Sequence, residues 1–230
     1  METFTSADLK AMRFLIGLTL LVVVGSIIAQ PKTVSESIPV TSQTRLDLEF
    51  DFADQITFKS WDKEEVLVKV EVEINDGKDN DVFTLNSRSS ATTIYIEMDE
   101  EMWEKIPKER NGKQCCNYSS RLDYTVYLPN EMAVKSSTIN GTYEFQYYDQ
   151  RMQLKTISGG IDITIPKTMG MDFNAKTITG EVYSDIEIKF PNGKEGLRQV
   201  VGQDFFGRIH GGGLKSELET ISGNIYLRKG

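Results

Sequence analysis

Apolar and polar residues alternate with a period of two along most of this chain. From Val66 to Ile74 every second residue is apolar and most residues between are charged, and shorter runs at 56–58, 94–96 and 122–128 repeat the pattern. Such alternation is typical of strands with one buried and one solvated face. From residue 31 onward no segment has a sustained helical spacing, so the pattern predicts a nearly all-β protein.

One four-residue phrase recurs in the second half of the chain. It reads Thr-Ile-Asn-Gly at 138–141, Thr-Ile-Ser-Gly at 156–159 and 220–223, and Thr-Ile-Thr-Gly at 177–180. The intervals between the glycines are 18, 21 and 43 residues, so a further copy is expected near residue 200, where 199–202 (Gln-Val-Val-Gly) fits loosely. A regular period indicates a structural unit that is built repeatedly and stacked.

Each copy predicts a strand, a corner and a second strand. Alternating apolar residues such as Ile161 and Ile163 follow the glycine, and Leu154 precedes it on the other side. Glycine suits a corner because it tolerates backbone angles that a β-carbon resists. The predicted structural corner residues are Gly141, Gly159, Gly180, Gly202 and Gly223.

Stacking these units predicts an all-β, single-chain β-solenoid, similar to a parallel β-helix, with rungs of about 20 residues and a less regular β N-terminal half. In such a stack the residues beside each glycine lie above their equivalents and can form hydroxyl ladders. Near the corner we expect Leu154, Thr156 and Ser158 to point inward and Ile157 to take the opposite side.

The first thirty residues differ in kind from the rest. Lys10 and Arg13 precede an apolar run at 14–29, which is typical of a secretory signal peptide cleaved near Ala29. An uncleaved membrane anchor is the alternative, although 16 residues are fewer than the roughly 20 that span a bilayer. The predicted organisation is a signal peptide or anchor at 1–30, a linker at 31–44 and one domain at 45–230, with a polar loop insertion at 99–120. We therefore expect export to the periplasm, the outer cell surface or the medium.

Charge and cysteine content narrow the possible partners. The formal net charge of −8 argues against nucleic acid or an anionic membrane, because both require a basic surface. The only cysteines, Cys115 and Cys116, are adjacent, so a disulfide between them would be strained. They form either a redox or soft-metal pair or idle thiols in the polar loop, and the second interpretation is favoured.

No constellation of catalytic residues is evident. His210 is the only histidine, which excludes a multi-histidine metal site, and no Gly-x-Ser-x-Gly nucleophile motif occurs. Asp162, Glu181 and Glu187 follow repeat glycines at unequal offsets, so they do not predict the paired carboxylates of a glycosidase. We expect no enzyme, no catalytic residue, no cofactor and no metal. A polysaccharide-active enzyme is the less favoured alternative.

Three segments carry a family resemblance. They are a Trp-Asp turn between two strands at 56–66, the sequence Tyr-Thr-Val-Tyr-Leu-Pro at 124–129, and the repeats with Gly-Gly-Gly at 211–213 before the last copy. Over roughly residues 45–230 the chain resembles the bacterial putative-adhesin domain family, a domain of unknown function built from β-strand repeats. The resemblance implies an exported β-repeat protein and supplies no catalytic residues. The loop with Cys115 and Cys116 resembles an insertion.

These observations predict an exported, non-enzymatic adhesion or interaction module of the cell envelope or surface. Its ligand is expected to be a protein or a glycan, and Tyr147 and Tyr148 would favour either if exposed. A self-assembling envelope scaffold is the alternative, because the last strand of a solenoid has an open edge. Arg228 and Lys229 place two positive charges beside that edge, so a monomer is predicted. A membrane is an expected partner only if the N-terminal segment is retained.

Overall fold

A computed structural model of this protein describes residues 31–107, 109–110, 113–114, 118–146, 150–191 and 202–230. Within these ranges the regular elements are β-strands and two short 3-10 turns, Asn80–Val82 and Glu100–Lys105. In chain order the strands are β1 (Lys32–Pro39), β2 (Arg45–Glu49), β3 (Gln55–Trp61), β4 (Glu65–Ile74), β5 (Leu85–Ser89), β6 (Thr93–Met98), β7 (Glu109–Arg110), β8 (Lys113–Gln114), β9 (Ser120–Pro129), β10 (Ala133–Thr138), β11 (Thr142–Gln146), β12 (Met152–Thr156), β13 (Ile161–Ile165), β14 (Met171–Thr177), β15 (Val182–Ser184), β16 (Gln203–Ile209), β17 (Leu214–Thr220) and β18 (Ile225–Lys229). The nearly all-β composition is confirmed.

Two eight-stranded mixed sheets contain all of these strands except β7 and β8, which pair with each other. The first sheet has the order β1-β4-β9-β3-β11-β13-β18-β15. The second sheet has the order β16-β14-β17-β12-β10-β2-β6-β5.

The hydrophobic core lies between the two sheets, because alternate residues of each long strand point inward. In β4 the predicted set Val66, Val68, Val70, Val72 and Ile74 is fully buried. The sheets also meet through a buried hydrogen bond in which the Tyr143 hydroxyl of β11 donates to Ser136 Oγ of β10 at 3.0 Å. Burial raises the pKa of Tyr143 well above its usual value, so this hydroxyl stays neutral. Removal of this apolar surface from water is the main stabilising contribution to the fold.

Each repeat runs from the second sheet to the first through its corner. β10 leads to β11, β12 to β13, β14 to β15 and β17 to β18. The parallel strands are in register, so that Thr138 pairs with Thr156, Thr156 with Thr220 and Thr220 with Thr177. The four corners therefore lie side by side in the order 139–141, 157–160, 221–224 and 178–181, at what we call the corner end of the molecule.

The predicted β-solenoid, or parallel β-helix, is wrong, because the two mixed sheets form a β-sandwich. Antiparallel pairs occur in both sheets: β4 pairs with β1 and β9, β14 with β16, and β5 with β6. The last repeat, β17 and β18, also lies between the second and third repeats. In a solenoid each repeat contacts its neighbours in sequence. The open edge expected at β18 is likewise absent, since β18 pairs on both sides, and this removes the argument for a self-assembling scaffold.

A glycine turn allows this change in strand order. β16 and β17 lie on opposite sides of β14, so the chain crosses the end of β14 between them. There His210, Gly211 and Gly212 have φ values of 48°, 89° and 88°. A β-carbon on Gly213 would lie 2.3 Å from the carbonyl oxygen of Gly170. The left-handed angles favour glycine at 211 and 212, and the close approach of Gly170 leaves room only for glycine at 213.

The N-terminal segments differ in part from the predicted organisation. The expected linker at 31–44 includes β1, which pairs with β4 from Lys32 opposite Val72 to Pro39 opposite Glu65. The insertion at 99–120 contains the second 3-10 turn and strands β7 and β8. The predicted signal peptide or anchor at 1–30 lies outside the described residues. Within the ranges that are described, no helix has the length and apolar character needed to cross a membrane.

Candidate interaction surfaces

A ladder of buried threonines joins the four corners, and its members are Thr138, Thr156, Thr220 and Thr177. The Thr156 hydroxyl accepts a hydrogen bond from the Gly159 N–H at 3.0 Å and donates one to the Gly141 carbonyl at 3.1 Å. Thr220 and Thr177 make the same donation to the next corner, at 2.9 Å each. The expected inward orientation of Leu154 and Thr156 is confirmed, and Ile157 is exposed as expected, whereas the inward orientation of Ser158 is wrong.

Close packing explains the glycines at these corners. A β-carbon on Gly159 would lie 1.9 Å from the Gly141 carbonyl oxygen, and one on Gly223 or Gly180 would lie 1.8 Å from the carbonyl of the adjacent corner. At Gly141 it would lie 2.8 Å from the β-carbon of Ala53. None of these four glycines has a positive φ, so the special backbone angles expected from the sequence are not the reason. Their importance for stability stays a prediction.

Gly202 differs from these four residues. It directly precedes β16, which runs antiparallel to β14, and its φ is +70°. A β-carbon on it would lie 2.5 Å from the carbonyl oxygens of Thr177 and Ile178. Gly202 therefore packs against the end of the third corner instead of forming a corner of its own, and residues 199–201 lie outside the described part.

The isoleucine of each phrase points to solvent. Ile139, Ile157 and Ile178 are 37%, 40% and 46% exposed, and Ile221 is half-buried. Backbone hydrogen bonds hold adjacent corners together at this position, from Ile157 N to Ile139 O at 3.1 Å and from Ile178 N to Ile221 O at 3.2 Å. These four residues, in the spatial order 139, 157, 221 and 178, form what we call the isoleucine row.

A second surface lies on the outer face of the first sheet, near the end opposite the corners. The rings of Trp61 and Tyr127 stack there with centroids 5.1 Å apart. Lys63 lies 4.5 Å from the Trp61 ring, and Lys59 and Lys69 lie 5.8 and 5.7 Å from the Tyr127 ring. We call these five residues the cationic patch.

The lysines of the patch differ from those of the second sheet. On that sheet Lys135 pairs with Asp47 at 2.9 Å, and Lys155 and Lys176 pair with Glu219 at 3.7 and 3.4 Å. Within the described residues neither Lys59 nor Lys69 has a carboxylate within ion-pair distance, and Lys63 pairs with Glu65 at 3.6 Å. In a chain of net charge −8, Lys59 and Lys69 are thus two positive charges with no described carboxylate at ion-pair distance.

No pattern in the sequence predicts the cationic patch. Lys59 and Trp61 are two residues apart on one strand, which places them on one face. Tyr127 and Lys69 join them only because β9 pairs with β3 on one side and β4 on the other. These pairings connect segments more than forty residues apart, and no local pattern indicates them.

A second aromatic pair lies on the same face at the far edge of the sheet. The rings of Tyr183 and Tyr226 stack at 5.2 Å, and a hydrogen bond to Glu181 raises the pKa of Tyr183. Arg228 donates to both carboxylate oxygens of Asp162, at 2.7 and 2.9 Å, and this interaction raises the pKa of Arg228. Its charge is therefore compensated, unlike that of Lys59.

The acidic residues weighed as catalytic groups do not form a carboxylate pair with each other. Asp162 pairs with Arg228, Glu181 bonds Tyr183, and Glu187 lies exposed beyond β15. His210 Nδ1 lies 2.9 Å from the Met169 carbonyl oxygen in the turn that crosses β14. Across the described ranges no three metal-ligating side chains come together. The predictions for Cys115, Cys116, Tyr147 and Tyr148 concern residues outside these ranges.

Solved structures resemble this fold. A crystal structure from Clostridium sporogenes, described as a "putative cell adhesion protein", superposes with a TM-score of 0.55 at 13% identity and covers 87% of this chain and 100% of its own. One from Bacteroides fragilis, a "putative adhesin", gives 0.34 at 10% identity, with 87% and 98% covered. One from Parabacteroides merdae, also a "putative adhesin", gives 0.27 at 9% identity, with 66% and 69% covered.

The resemblance to adhesin-type proteins predicted from the sequence is therefore confirmed. At 13% identity the Clostridium sporogenes structure establishes a likeness of fold alone. No protein-family model matches the chain, and no curated protein matches it.

Proposed function

We propose that this protein is an exported, non-enzymatic interaction module that binds an acidic glycan at the cell surface through the cationic patch. The observation that carries the proposal is the pair of exposed lysines, Lys59 and Lys69, that lack carboxylate partners in the described structure and lie over one aromatic ring. A ligand bearing carboxylate or sulfate groups would supply the missing negative charge.

The arrangement of the patch favours binding because its cations are held in place. Contact with the Tyr127 ring restricts Lys59 and Lys69 before a ligand arrives, which lowers the entropy cost of ordering them. Thr57 and Thr125 are paired neighbours on the same face and supply hydroxyl groups for sugar hydroxyls. The Trp61 ring adds apolar surface of the kind that contacts the face of a sugar.

Export and a role in adhesion are supported by two further observations. The apolar run at 14–29 has the pattern of a secretory signal or an anchor. The fold is similar to that of a protein described as a cell adhesion protein. The patch lies at the opposite end of the first sheet from residue 32, so it would stay accessible if the N-terminal segment held the protein at a membrane.

Binding can be measured through Trp61, since the chain has two tryptophans and Trp103→Phe leaves only Trp61 as reporter. We expect polygalacturonate to change Trp61 emission at low salt and neutral dextran to leave it unchanged. The double variant Lys59→Gln/Lys69→Gln should bind polygalacturonate about tenfold or more weakly, and added salt should weaken wild-type binding.

The matched control removes the same charge from the other sheet, as Lys135→Gln/Lys155→Gln. If this variant lost as much affinity as the patch variant, binding would depend on total charge and the proposed site would be wrong. If the patch bound a protein in preference to any acidic glycan, the ligand would be a protein and the proposed glycan ligand would be wrong.

A further inference from the structure

The isoleucine row has no role in the interior of the fold. The threonine of each phrase bonds the next corner and the glycine allows close packing, but the isoleucine is turned away from the core. All four copies nevertheless have isoleucine at this position, which is exposed in three of them and half-buried at Ile221. The adjacent corner between β2 and β3 carries another exposed apolar residue, Phe52.

The corners also carry few charges. Among residues 139–141, 157–160, 221–224 and 178–181 only Glu181 is charged, in a chain with 26% charged residues. Their remaining side chains are small and neutral, such as Asn140, Ser158 and Ser222. A surface with few charges and a row of exposed apolar side chains is typical of a surface that contacts an apolar phase.

The chain enters the sandwich at this same end. Lys32 begins β1 opposite Val72, Glu71 lies opposite Asp123, and Asp123 lies opposite Gln55, the first residue after the β2–β3 corner. Only Gln30 and Pro31 separate β1 from the apolar run at 14–29. Three Cα–Cα steps span at most about 11 Å. A bilayer that held the apolar run would therefore lie next to the corner end.

We propose that the isoleucine row is a membrane-contact surface that rests on a bilayer of uncharged lipid when the N-terminal run is retained as an anchor. This inference does not depend on the glycan-binding role. A second copy of the chain fits less well, since a few half-exposed side chains fall far short of the roughly 800 Å² per partner that stable interfaces bury. An anchored protein needs only a small apolar contact to fix its orientation.

Charges at the corner end define the lipid class. The 3-10 turn Glu100–Lys105 follows β6 at this end, because Glu97 of β6 pairs with Glu49 just before the β2–β3 corner. Glu100 and Glu101 are exposed there, and a hydrogen bond with Asp51 raises the pKa of Glu100. Anionic headgroups would be repelled, so zwitterionic phosphatidylcholine is the suitable probe.

The two tryptophans provide a reporter at each end. Trp103 packs edge-on against Phe52 at 5.3 Å, at the corner end, whereas Trp61 belongs to the cationic patch at the opposite end. The full chain, residues 1–230, is reconstituted into phosphatidylcholine vesicles that contain brominated phosphatidylcholine, which quenches tryptophan near the bilayer. Trp61→Phe leaves Trp103 as the reporter, and Trp103→Phe leaves Trp61. We expect strong quenching of Trp103 and little of Trp61.

Substitution of the isoleucine row tests whether its side chains contact the bilayer or whether Trp103 is quenched only because the anchor holds it nearby. In the Trp61→Phe background, Ile139→Ser/Ile157→Ser/Ile178→Ser should reduce quenching of Trp103 about twofold or more. The control is Phe190→Ser/Leu214→Ser, whose side chains are 38% and 39% exposed elsewhere on the surface, and it should leave quenching unchanged. If the triple variant does not fold by circular dichroism, Ile178→Ser alone is compared with Leu214→Ser.

Three outcomes would overturn the proposal: equal quenching of both tryptophans, unchanged quenching in the row variant that folds, or failure of the full chain to stay with the vesicles. Addition of anionic phosphatidylglycerol should lower the quenching of Trp103, and an increase would overturn the assignment to uncharged lipid. The glycan titration uses Trp61, so failure of one proposal leaves the other intact.

Discussion

Replacement of Gly159 by alanine should lower the free energy of unfolding by about 3 kcal/mol or more, near the upper end for a single substitution. The added β-carbon would lie 1.9 Å from the carbonyl oxygen and 2.5 Å from the carbonyl carbon of Gly141. That carbonyl accepts the hydrogen bond from Thr156, and its corner is fixed in turn by bonds to the β2–β3 corner. The Gly141 backbone is held on both sides and cannot move aside as a flexible side chain can. The added β-carbon would therefore force the first and second corners apart.

The neighbouring residue supplies the control for this prediction. A β-carbon on Gly160 would lie 3.3 Å from the Asn224 carbonyl oxygen and 3.7 Å from the Thr142 side chain, so Gly160→Ala requires only a small adjustment. Chemical denaturation of the purified protein, followed by circular dichroism, measures both variants. Equal denaturation midpoints for Gly159→Ala and Gly160→Ala would mean that the corners are not closely packed.

Replacement of Thr156 by valine should cost about 2–4 kcal/mol, because it keeps the shape of a fully buried side chain and removes its hydroxyl. The hydroxyl accepts from the Gly159 N–H and donates to the Gly141 carbonyl, so both backbone groups lose a buried partner. A buried polar group left without a hydrogen bond is costly because water cannot reach it.

Two variants test whether the hydroxyl is the cause. Thr156→Ser keeps both hydrogen bonds and removes one methyl group, so it should cost about 1 kcal/mol. Thr164→Val makes the same chemical change as Thr156→Val, but on the half-exposed outer face of β13, and should be nearly neutral. A serine variant as unstable as the valine variant would show that packing, and not the hydroxyl ladder, holds the corners.

The local units of this protein follow from its amino-acid sequence. Alternation at Val66 to Ile74 fixed a strand and its buried face, since side chains on successive strand residues point to opposite sides. The repeated phrase fixed a strand–corner–strand unit and the inward side of Leu154 and Thr156. These properties depend on neighbours within a few residues, so a local pattern contains them.

The relative order of the units does not follow from the sequence pattern and is set by strand pairing in the folded protein. The period of the repeats predicted a stack in chain order, yet β17 and β18 lie between the second and third repeats. Thr220 pairs with Thr156 on one side and Thr177 on the other. Because the repeats are alike, the last repeat could form the same pairs at the end of the row or in its middle. The glycine turn at 210–213 lets the chain cross β14 and so permits the observed order.

Both candidate surfaces have the same origin. Trp61, Tyr127 and Lys69 come from three strands that are distant in sequence and adjacent through pairing. The isoleucine row shares an end with residue 32 only because β1 and β4 run antiparallel beside β9. The sequence specifies which side chain each strand turns to solvent, because that depends on alternation along one strand. Strand pairing decides which of these side chains meet. It cannot be predicted from one strand, because every residue except proline offers the same backbone donor and acceptor.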